Sequence, residues 1–390
     1  MRAQARATRT EIARRAINAE LIGVRGGAKR LATPALTIDL AKMRANLAGM
    51  NRRCAAAGMR LRPHGKTHKC SAIAREQLAA GAAGICAASP HEAIAFARAG
   101  ISGLLVTAPV VQPAHLAALA ELHRDGADLM VVIDHPDGVT AWSDALGRSA
   151  RKLPVLVDID LGMARTGARS PKDVVAIARR VNDSAALAYA GVQAYSGRVQ
   201  HIERYGERRR VYLEQIRRLA AALRALEAAG LAAKIVSGGG TGTFAIDVEH
   251  GLYTESQAGS YLFMDVEYNA VEFFRGKRNP YATALLMRTS VVSANAPGHV
   301  TINAGFKCFA TDGPVPELYG SLARAARYEF FGDEYGRVVL GKGRRAPKVG
   351  VPVDLITPHC DPTVNLHDFY HVLAGDTLID IWPIDARGVS

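Results

Sequence analysis

The sequence predicts an α/β fold: a (β/α)8 TIM-type barrel followed by a smaller, mainly β C-terminal domain. Two observations carry this. Between about residues 36 and 265, eight short apolar runs alternate with longer stretches of helical period. That alternation favours parallel strands joined by right-handed helical crossovers. After about residue 275 the pattern changes to short β-like runs broken by Gly and Pro, with little helical periodicity. A doubly wound open sheet is the alternative for the first part; eight units favour closure into a barrel.

The eight runs are 61–64, 84–88, 104–107, 129–133, 155–159, 190–194, 234–238 and 257–263. Residues 90–99, 113–124, 170–183 and 203–229 have helical period. Ser89-Pro90 and Ser170-Pro171 put an N-cap ahead of a proline at the first helical position. Gln112-Pro113 has the proline but a poorer cap. In the C-terminal part the β-like runs are 282–293, 299–303, 336–340, 348–356 and 376–383, with helical period only at 316–327. Residues 33–39 are strand-like too, and can join either the barrel or the β domain. The expected division is a basic N-terminal arm (1–30), a barrel (31–275) and a β domain (276–390).

Composition bounds the partners. The chain has 390 residues, 49% of them hydrophobic, so a large core can form. No apolar run approaches the roughly 18 residues of a membrane span, so no membrane partner is expected. The net charge is +13, which raises nucleic acid or an anionic substrate. Residues 1–30 alone carry eight Arg or Lys against Glu11 and Glu20. That terminal excess reads as an arm packing on the body or on a partner subunit. No zinc-finger or aromatic-rich RNA motif accompanies the charge, and aromatics are 6%, so no nucleic-acid partner is expected. Five scattered cysteines without CxxC or a secretory signal argue against a disulfide framework and for a cytoplasmic location.

In such a barrel, function sits after the C-terminal ends of the strands. The first strand ends in Arg62-Pro63-His64-Gly65-Lys66-Thr67-His68-Lys69. A lysine facing an enclosed barrel mouth can lose its charge and become a nucleophile able to form a Schiff base; the alternative is a solvated basic turn. Arg165, between Gly162 and Gly167, can present a planar fork to an oxygen anion, or it forms a surface salt bridge. Tyr195 can donate to a ring heteroatom, or it is an ordinary rim tyrosine. Gly238-Gly239-Gly240-Thr241-Gly242-Thr243 lets backbone N–H groups approach an anion. With Ser260 and Tyr261 from the last run it suits a phosphate; a ligand-free glycine turn is the alternative. His359 and Asp361 are i, i+2 and face one way if extended. They suit a divalent metal or a hydrogen-bonded loop.

Taken in order, these motifs resemble the fold-type III, alanine-racemase-like pyridoxal-phosphate enzymes. Within that fold they look like the D-threonine aldolase and metal-dependent D-serine dehydratase branch. The resemblance spans about residues 30–385 and is most specific at the Lys66 motif and at His359-Cys360-Asp361. It implies that Lys66 holds pyridoxal 5'-phosphate covalently and that Arg165 lies against the cofactor ring or its phenolic oxygen. Tyr195 would partner the pyridine nitrogen. Gly239, Gly240, Thr241, Gly242, Ser260 and Tyr261 would cradle the phosphate, and His359 and Asp361 would bind the metal. His64 and His201 would serve as general base or supporting groups. The dehydratase branch typically has His-x-Cys where aldolases have His-x-Asp, so this chain reads as an aldolase. Its carboxylate ligand suits Mn²⁺ or Mg²⁺ over Zn²⁺. The implied reaction cleaves a D-β-hydroxy-α-amino acid to glycine and an aldehyde, in a homodimer. The alternatives are a D-serine or D-threo-3-hydroxyaspartate type dehydratase, a racemase, and a pyridoxal-phosphate carrier without turnover.

Overall fold

In the computed structural model, residues 16–276, 279–324 and 326–388 are described. The part of the basic arm before residue 16 lies outside them. Residues 16–31 lie on the β domain: Ala16, Leu21, Ala28 and Leu31 pack with Leu373, Leu378 and Ile381. Strand β1 (Ala35–Asp39) leads into helix α1 (Leu40–Ala56). The Asp39 carboxylate caps that helix, accepting from the Lys42 N–H at 3.1 Å.

Strands and helices then alternate. They are β2 (Arg60–Leu61), α2 (Ser71–Ala79), β3 (Ile85–Ala87), α3 (Pro90–Arg98), β4 (Leu104–Val106), α4 (Pro113–Arg124), β5 (Leu129–Ile133) and α5 (Pro136–Leu146). They continue with β6 (Leu153–Asp160), α6 (Pro171–Asp183), β7 (Leu187–Tyr195), α7 (Tyr205–Ala228), β8 (Ile235–Gly238), α8 (Phe244–His250), β9 (Glu255–Ser256) and α9 (Val266–Ala270). Ser89 and Ser170 cap α3 and α6 through their side chains, whereas Gln112 makes no side-chain cap bond to α4.

The eight strands β2 to β9 pair in parallel in the order β2-β9-β8-β7-β6-β5-β4-β3. The ring closes through a parallel bridge between His64 and Cys86, with the Cys86 N–H donating to Pro63 O at 2.9 Å. A closed ring is a barrel, not an open sheet. Inside it, Cys86, Leu105, Val132 and Leu156 form an apolar cluster. A buried ion pair fills the space beside β2 and β9. Arg62 donates twice to Glu255, at 2.8 and 3.0 Å, and Ser237 Oγ donates to the same carboxylate at 2.9 Å. Removing one partner of such a pair costs about 3–5 kcal/mol, because it strands a buried charge.

The C-terminal part adds β10 (Leu285–Ser293), β11 (His299–Ile302), β12 (Glu317–Leu318), β13 (Ala326–Phe330), β14 (Gly336–Leu340), β15 (Pro352–Ile356), helix α10 (Cys360–Val364), β16 (Phe369–Ala374) and β17 (Thr377–Pro383). Strand β1 belongs to this sheet, antiparallel to β10 and parallel to β16. Of the two places open to residues 33–39, the chain uses the β domain.

Two sequence expectations are corrected. The eighth barrel strand is Glu255–Ser256, not 257–263. Ser260–Leu262 is a 3-10 turn, because its apolar side chains are drawn under α1, where Asn46 Nδ2 donates to Leu262 O at 3.1 Å. Residues 316–324 and 326–327 are not an α-helix but run through β12, a 3-10 turn and the start of β13. Gly320 there has φ +75, a left-handed conformation that stops a helix. The helical period there is local, and pairing of β12 with β15 overrides it.

Candidate active site

The lysine segment sorts its charges. Arg62 is consumed by Glu255 inside the barrel. Lys69 Nζ donates to Glu92 at 2.7 Å, and both side chains are buried. His68 Nε2 meets Gln77 Oε1 at 3.1 Å in the core. Lys66, carried on the 3-10 turn Gly65–Thr67, reaches a cavity of about 300 Å³ at the barrel mouth. His64, Arg165 and Tyr195 also line it. The Lys66 N–H donates to His64 Nδ1 at 3.4 Å, and His64 Nε2 meets Thr107 Oγ1 at 3.2 Å. With Nδ1 accepting, the His64 proton sits on Nε2. Burial and the neighbouring Lys66 hold its pKa well below the ordinary value. Both its ring nitrogens are engaged, which suits holding the lysine turn better than accepting a proton.

Lys66 itself differs from the sequence expectation of an uncharged amine. Burial pushes its pKa down, but the Asp361 carboxylate 3.3 Å away, with Tyr195, outweighs that and holds the ammonium above its ordinary range. Without cofactor, the nucleophile is therefore stored as a cation.

The β6 end supplies the next wall. Asp160 Oδ1 accepts from the N–H groups of Gly162, Met163 and Ala164 at 2.8, 2.7 and 3.1 Å. This single carboxylate folds the loop that carries Arg165, with Ala164 at φ +54. Asp158 accepts from Gln193 Nε2 at 2.9 Å and from Thr166 Oγ1 at 2.9 Å. Burial nevertheless raises its pKa from 3.8 to about 6. The folded chain thus binds this proton more readily than the unfolded chain, and stability falls as pH rises from about 4 to 6. Asp158→Asn is expected to stabilise the cofactor-free protein at pH 8 by roughly 1–3 kcal/mol, with the gain gone below about pH 4. Urea unfolding at both pH values checks this; equal stability of the two proteins at pH 8 overturns it.

The ends of β7, β8 and β9 build a glycine-rich floor. Gln200 sits inside the 239–242 loop, and its Oε1 accepts from the Gly242 N–H at 2.9 Å. A Cβ on Gly242 would lie 2.1 Å from the Gln200 backbone O, so that position cannot carry a side chain as folded, and one on Gly240 would lie 2.6 Å from Gln200 Oε1, which would have to move aside. The Tyr261 N–H donates to Thr241 Oγ1 at 3.0 Å, which ties the two loops together. The Tyr261 ring turns away into the core against Tyr281, leaving its backbone and Ser260 at the loop. Ser196 Oγ, beside Gln200, is buried without a partner.

The β domain closes the site within one chain. Asp265 is fully buried and accepts from the Cys360 N–H at 2.9 Å and the Tyr268 N–H at 2.9 Å. The Val266 N–H donates to Thr357 O at 3.0 Å. These bonds dock the 357–361 segment on the barrel, with Asp361 against Lys66. Burial would raise the Asp361 pKa, but Lys66, His359 and His64 bring it down to about 2. His359 Nδ1 lies 2.8 Å from Asp312 Oδ2. His201 stands with its ring 6.1 Å from that of His359 and edge-on to Tyr268 at 4.7 Å. Burial and His359 lower the His201 pKa to about 4. Cys360, between the two candidate ligands, is buried and faces Asp265 and Asp361, with burial pushing its thiol well up.

These residues suit two kinds of group. A cavity lysine, a cavity tyrosine, an arginine at the rim, side-chain-free loops and an orphan buried hydroxyl fit an aromatic aldehyde bearing a phosphate. For a divalent ion, no group of three His, Cys, Asp or Glu converges among the described residues. His359 and Asp361 give one imidazole and one low-pKa carboxylate, which fits an ion completed by water or substrate oxygens.

A barrel with a lysine at its mouth and a β domain reaching over it defines the alanine-racemase class of fold. The comparisons agree. The family model for the alanine racemase N-terminal domain matches residues 38–267, and that for a putative serine dehydratase domain matches residues 284–373. The chain is 38% identical to a D-threonine aldolase from Arthrobacter sp. over 363 residues, covering 93% of this chain and 94% of that one. It is 36% identical to a 3-hydroxy-D-aspartate aldolase from Paracoccus denitrificans over 360 residues, covering 91% and 92%. The crystal structure of a D-threonine aldolase from Filomicrobium marinum superposes with a TM-score of 0.87 at 33% identity, covering 92% of this chain and 96% of that one. The chain belongs to the fold-type III pyridoxal-phosphate family, with an alanine racemase N-terminal domain followed by a serine-dehydratase-like domain.

Sequence reasoning missed Asp158 and Asp160, although their i, i+2 spacing at a strand end was a usable signal. It also missed Gln200, Asp265, Glu267 and Asp312. Asp312 is 47 residues from His359, and no local pattern links them.

Proposed function

We propose that this chain is a metal- and pyridoxal-phosphate-dependent aldolase that cleaves D-β-hydroxy-α-amino acids, of the D-threonine type, to glycine and an aldehyde. The observation that carries this reading is the meeting of Asp361, from the β domain, with Lys66, from the barrel, at 3.3 Å. Lysine chemistry is thereby brought against one member of a metal-suited donor pair, which a racemase or a carrier does not require. The aldolase relatives support the same reading.

Lys66 would hold the cofactor, Arg165 its phenolic edge and Tyr195 its ring nitrogen. The loops at 239–242 and 260–261 would hold the phosphate. The cofactor, when bound, supplies the sink for the electron pair released as Cα–Cβ breaks. His359 and Asp361 would hold a divalent ion, Mn²⁺ or Mg²⁺ by the hardness of the carboxylate, which supplies positive charge at the substrate's β-oxygen. His201 is kept neutral by burial, and its Nε2 is buried without a partner. It would take the β-hydroxyl proton as the aldehyde forms. His64 orients the Lys66 turn from beneath. Five free, buried cysteines support a cytoplasmic location, and the family resemblance supports a homodimer.

The test is a product assay with D-threonine and Mn²⁺. Acetaldehyde and glycine in equal amounts are expected. 2-Oxobutanoate and ammonia would establish the dehydratase instead.

A further inference from the structure

Two imidazoles at the site each have a carboxylate near Nδ1: a hydrogen bond at His359, and at His201 a 3.3 Å contact in which Glu267 Oε2 is buried without a hydrogen-bond partner among the described residues. His359 Nδ1 is 2.8 Å from Asp312 Oδ2, and His201 Nδ1 is 3.3 Å from Glu267 Oε2. The rings stand 6.1 Å apart at 77°. The two carboxylates arrive from different parts of the fold, Glu267 from α9 and Asp312 from the segment after β11. Their segments touch: a Cβ on Gly313 would lie 2.8 Å from Glu267 Oε1. Glu267 is fixed further by its backbone N–H, which donates to Pro358 O at 3.4 Å.

We propose that Asp312 and Glu267 are positioning residues that fix the ring orientation and tautomer of His359 and His201, so that both present a bare Nε2 at the active site. This rests on the metal-dependent aldolase reading above and deepens it. A carboxylate accepts and cannot donate, so the imidazole proton hydrogen-bonded to Asp312 sits on Nδ1 of His359, and a proton on His201 Nδ1 would pair the otherwise unpartnered Glu267 Oε2. The Nε2 lone pair is then free to bind a metal ion, in His359, or to take a proton, in His201. A carboxylate behind a ligating histidine also restricts ring rotation and raises its basicity, and losing it typically costs about 10–100-fold in metal affinity or activity. Among the described residues the buried His201 Nε2 has no partner, as this division of labour requires.

The experiment uses the pyridoxal-phosphate-loaded full-length chain and titrates Mn²⁺, reading free ion by its electron paramagnetic resonance signal. Asp312→Ala is expected to weaken Mn²⁺ binding about 10–100-fold, with the cofactor's visible absorbance unchanged. Asp312→Asn keeps an acceptor oxygen and is expected to recover most of that loss. Asp312 is half exposed, so neither change strands a buried charge. Glu267→Gln is expected to lower kcat by about tenfold or more, with KM for D-threonine and Mn²⁺ binding within about threefold of the parent. If the parent binds Mn²⁺ and Asp312→Ala binds it equally well, the positioning role falls and the metal reading stands. If Glu267→Gln keeps the parental kcat, the Glu267 half falls. If the parent binds no Mn²⁺, the metal reading itself falls, and this proposal with it.

Discussion

Lys66→Ala is expected to lower turnover of D-threonine by about 10³-fold or more and to end covalent retention of the cofactor. After borohydride reduction and denaturation, the parent chain should carry the cofactor's mass and the variant should not. The reason is the sorting of charges along the first barrel strand. Arg62 and Lys69 are tied to Glu255 and Glu92, so neither can substitute. Lys66 alone of that segment's cations lines the cavity. Its amine is held protonated by Asp361 and Tyr195 against the pull of burial, so loading of the cofactor-free chain should speed up as pH rises. Removing the lysine leaves Asp361 facing a cavity without its cation. Lys66→Arg is therefore the fold control: it keeps a charge for Asp361, should melt like the parent, and should still retain no cofactor. A Lys66→Ala chain that retains reduced cofactor would overturn the assignment.

How much of this was legible depends on the distance over which each residue acts. The barrel was legible because each β/α unit carries its own punctuation. Ser89-Pro90 and Ser170-Pro171 start helices whatever surrounds them. The β domain was legible as a change of pattern, but its pairings were not. Nothing local shows that β1 lies between β10 and β16, strands about 250 and 330 residues later. The failed elements have tertiary causes. The run 257–263 has the apolar content of a strand, yet its turn is claimed by α1. At the site, residues named from motifs lie at strand ends, where chain order places them. The residues that shape it, Asp160 beneath the Arg165 loop, Gln200 inside the glycine loop and Asp265 under Cys360, act through hydrogen bonds to backbone N–H groups. Such roles need only an acceptor at the right point in space, so Gln200 and Asp265 leave no signature in residue type, and the spacing of Asp158 and Asp160 is the one local hint. The charge on Lys66 was misjudged for a related reason. Its counter-ion is 295 residues away in sequence, Asp361 against Lys66, and only 3.3 Å away in space.

Asp361→Ala should separate the two halves of the site. Asp361 has two tasks in this structure: it pairs with Lys66, and it supplies the harder of the two candidate metal donors. Its own pKa is brought down to about 2 by Lys66, His359 and His64 against the effect of burial, so it is a carboxylate throughout the working pH range. Without it, burial acts on Lys66 unopposed by its nearest anion, and the amine's pKa drops. A neutral amine is the form that attacks an aldehyde. The variant should therefore load cofactor at least as fast as the parent at neutral pH, seen as visible absorbance after mixing. Turnover should behave in the opposite way. One imidazole cannot hold a hard divalent ion tightly, and loss of its charge at the β-oxygen is worth several kcal/mol, or roughly 10²- to 10³-fold in rate. Excess Mn²⁺ should recover little of it. Faster loading together with lost turnover would place one carboxylate at the junction of the lysine and metal chemistry. Turnover within about twofold of the parent would remove Asp361 from the metal site. Failure to load cofactor would mean that the Asp361–Lys66 pair is needed to hold the lysine turn in place, rather than to hold its charge.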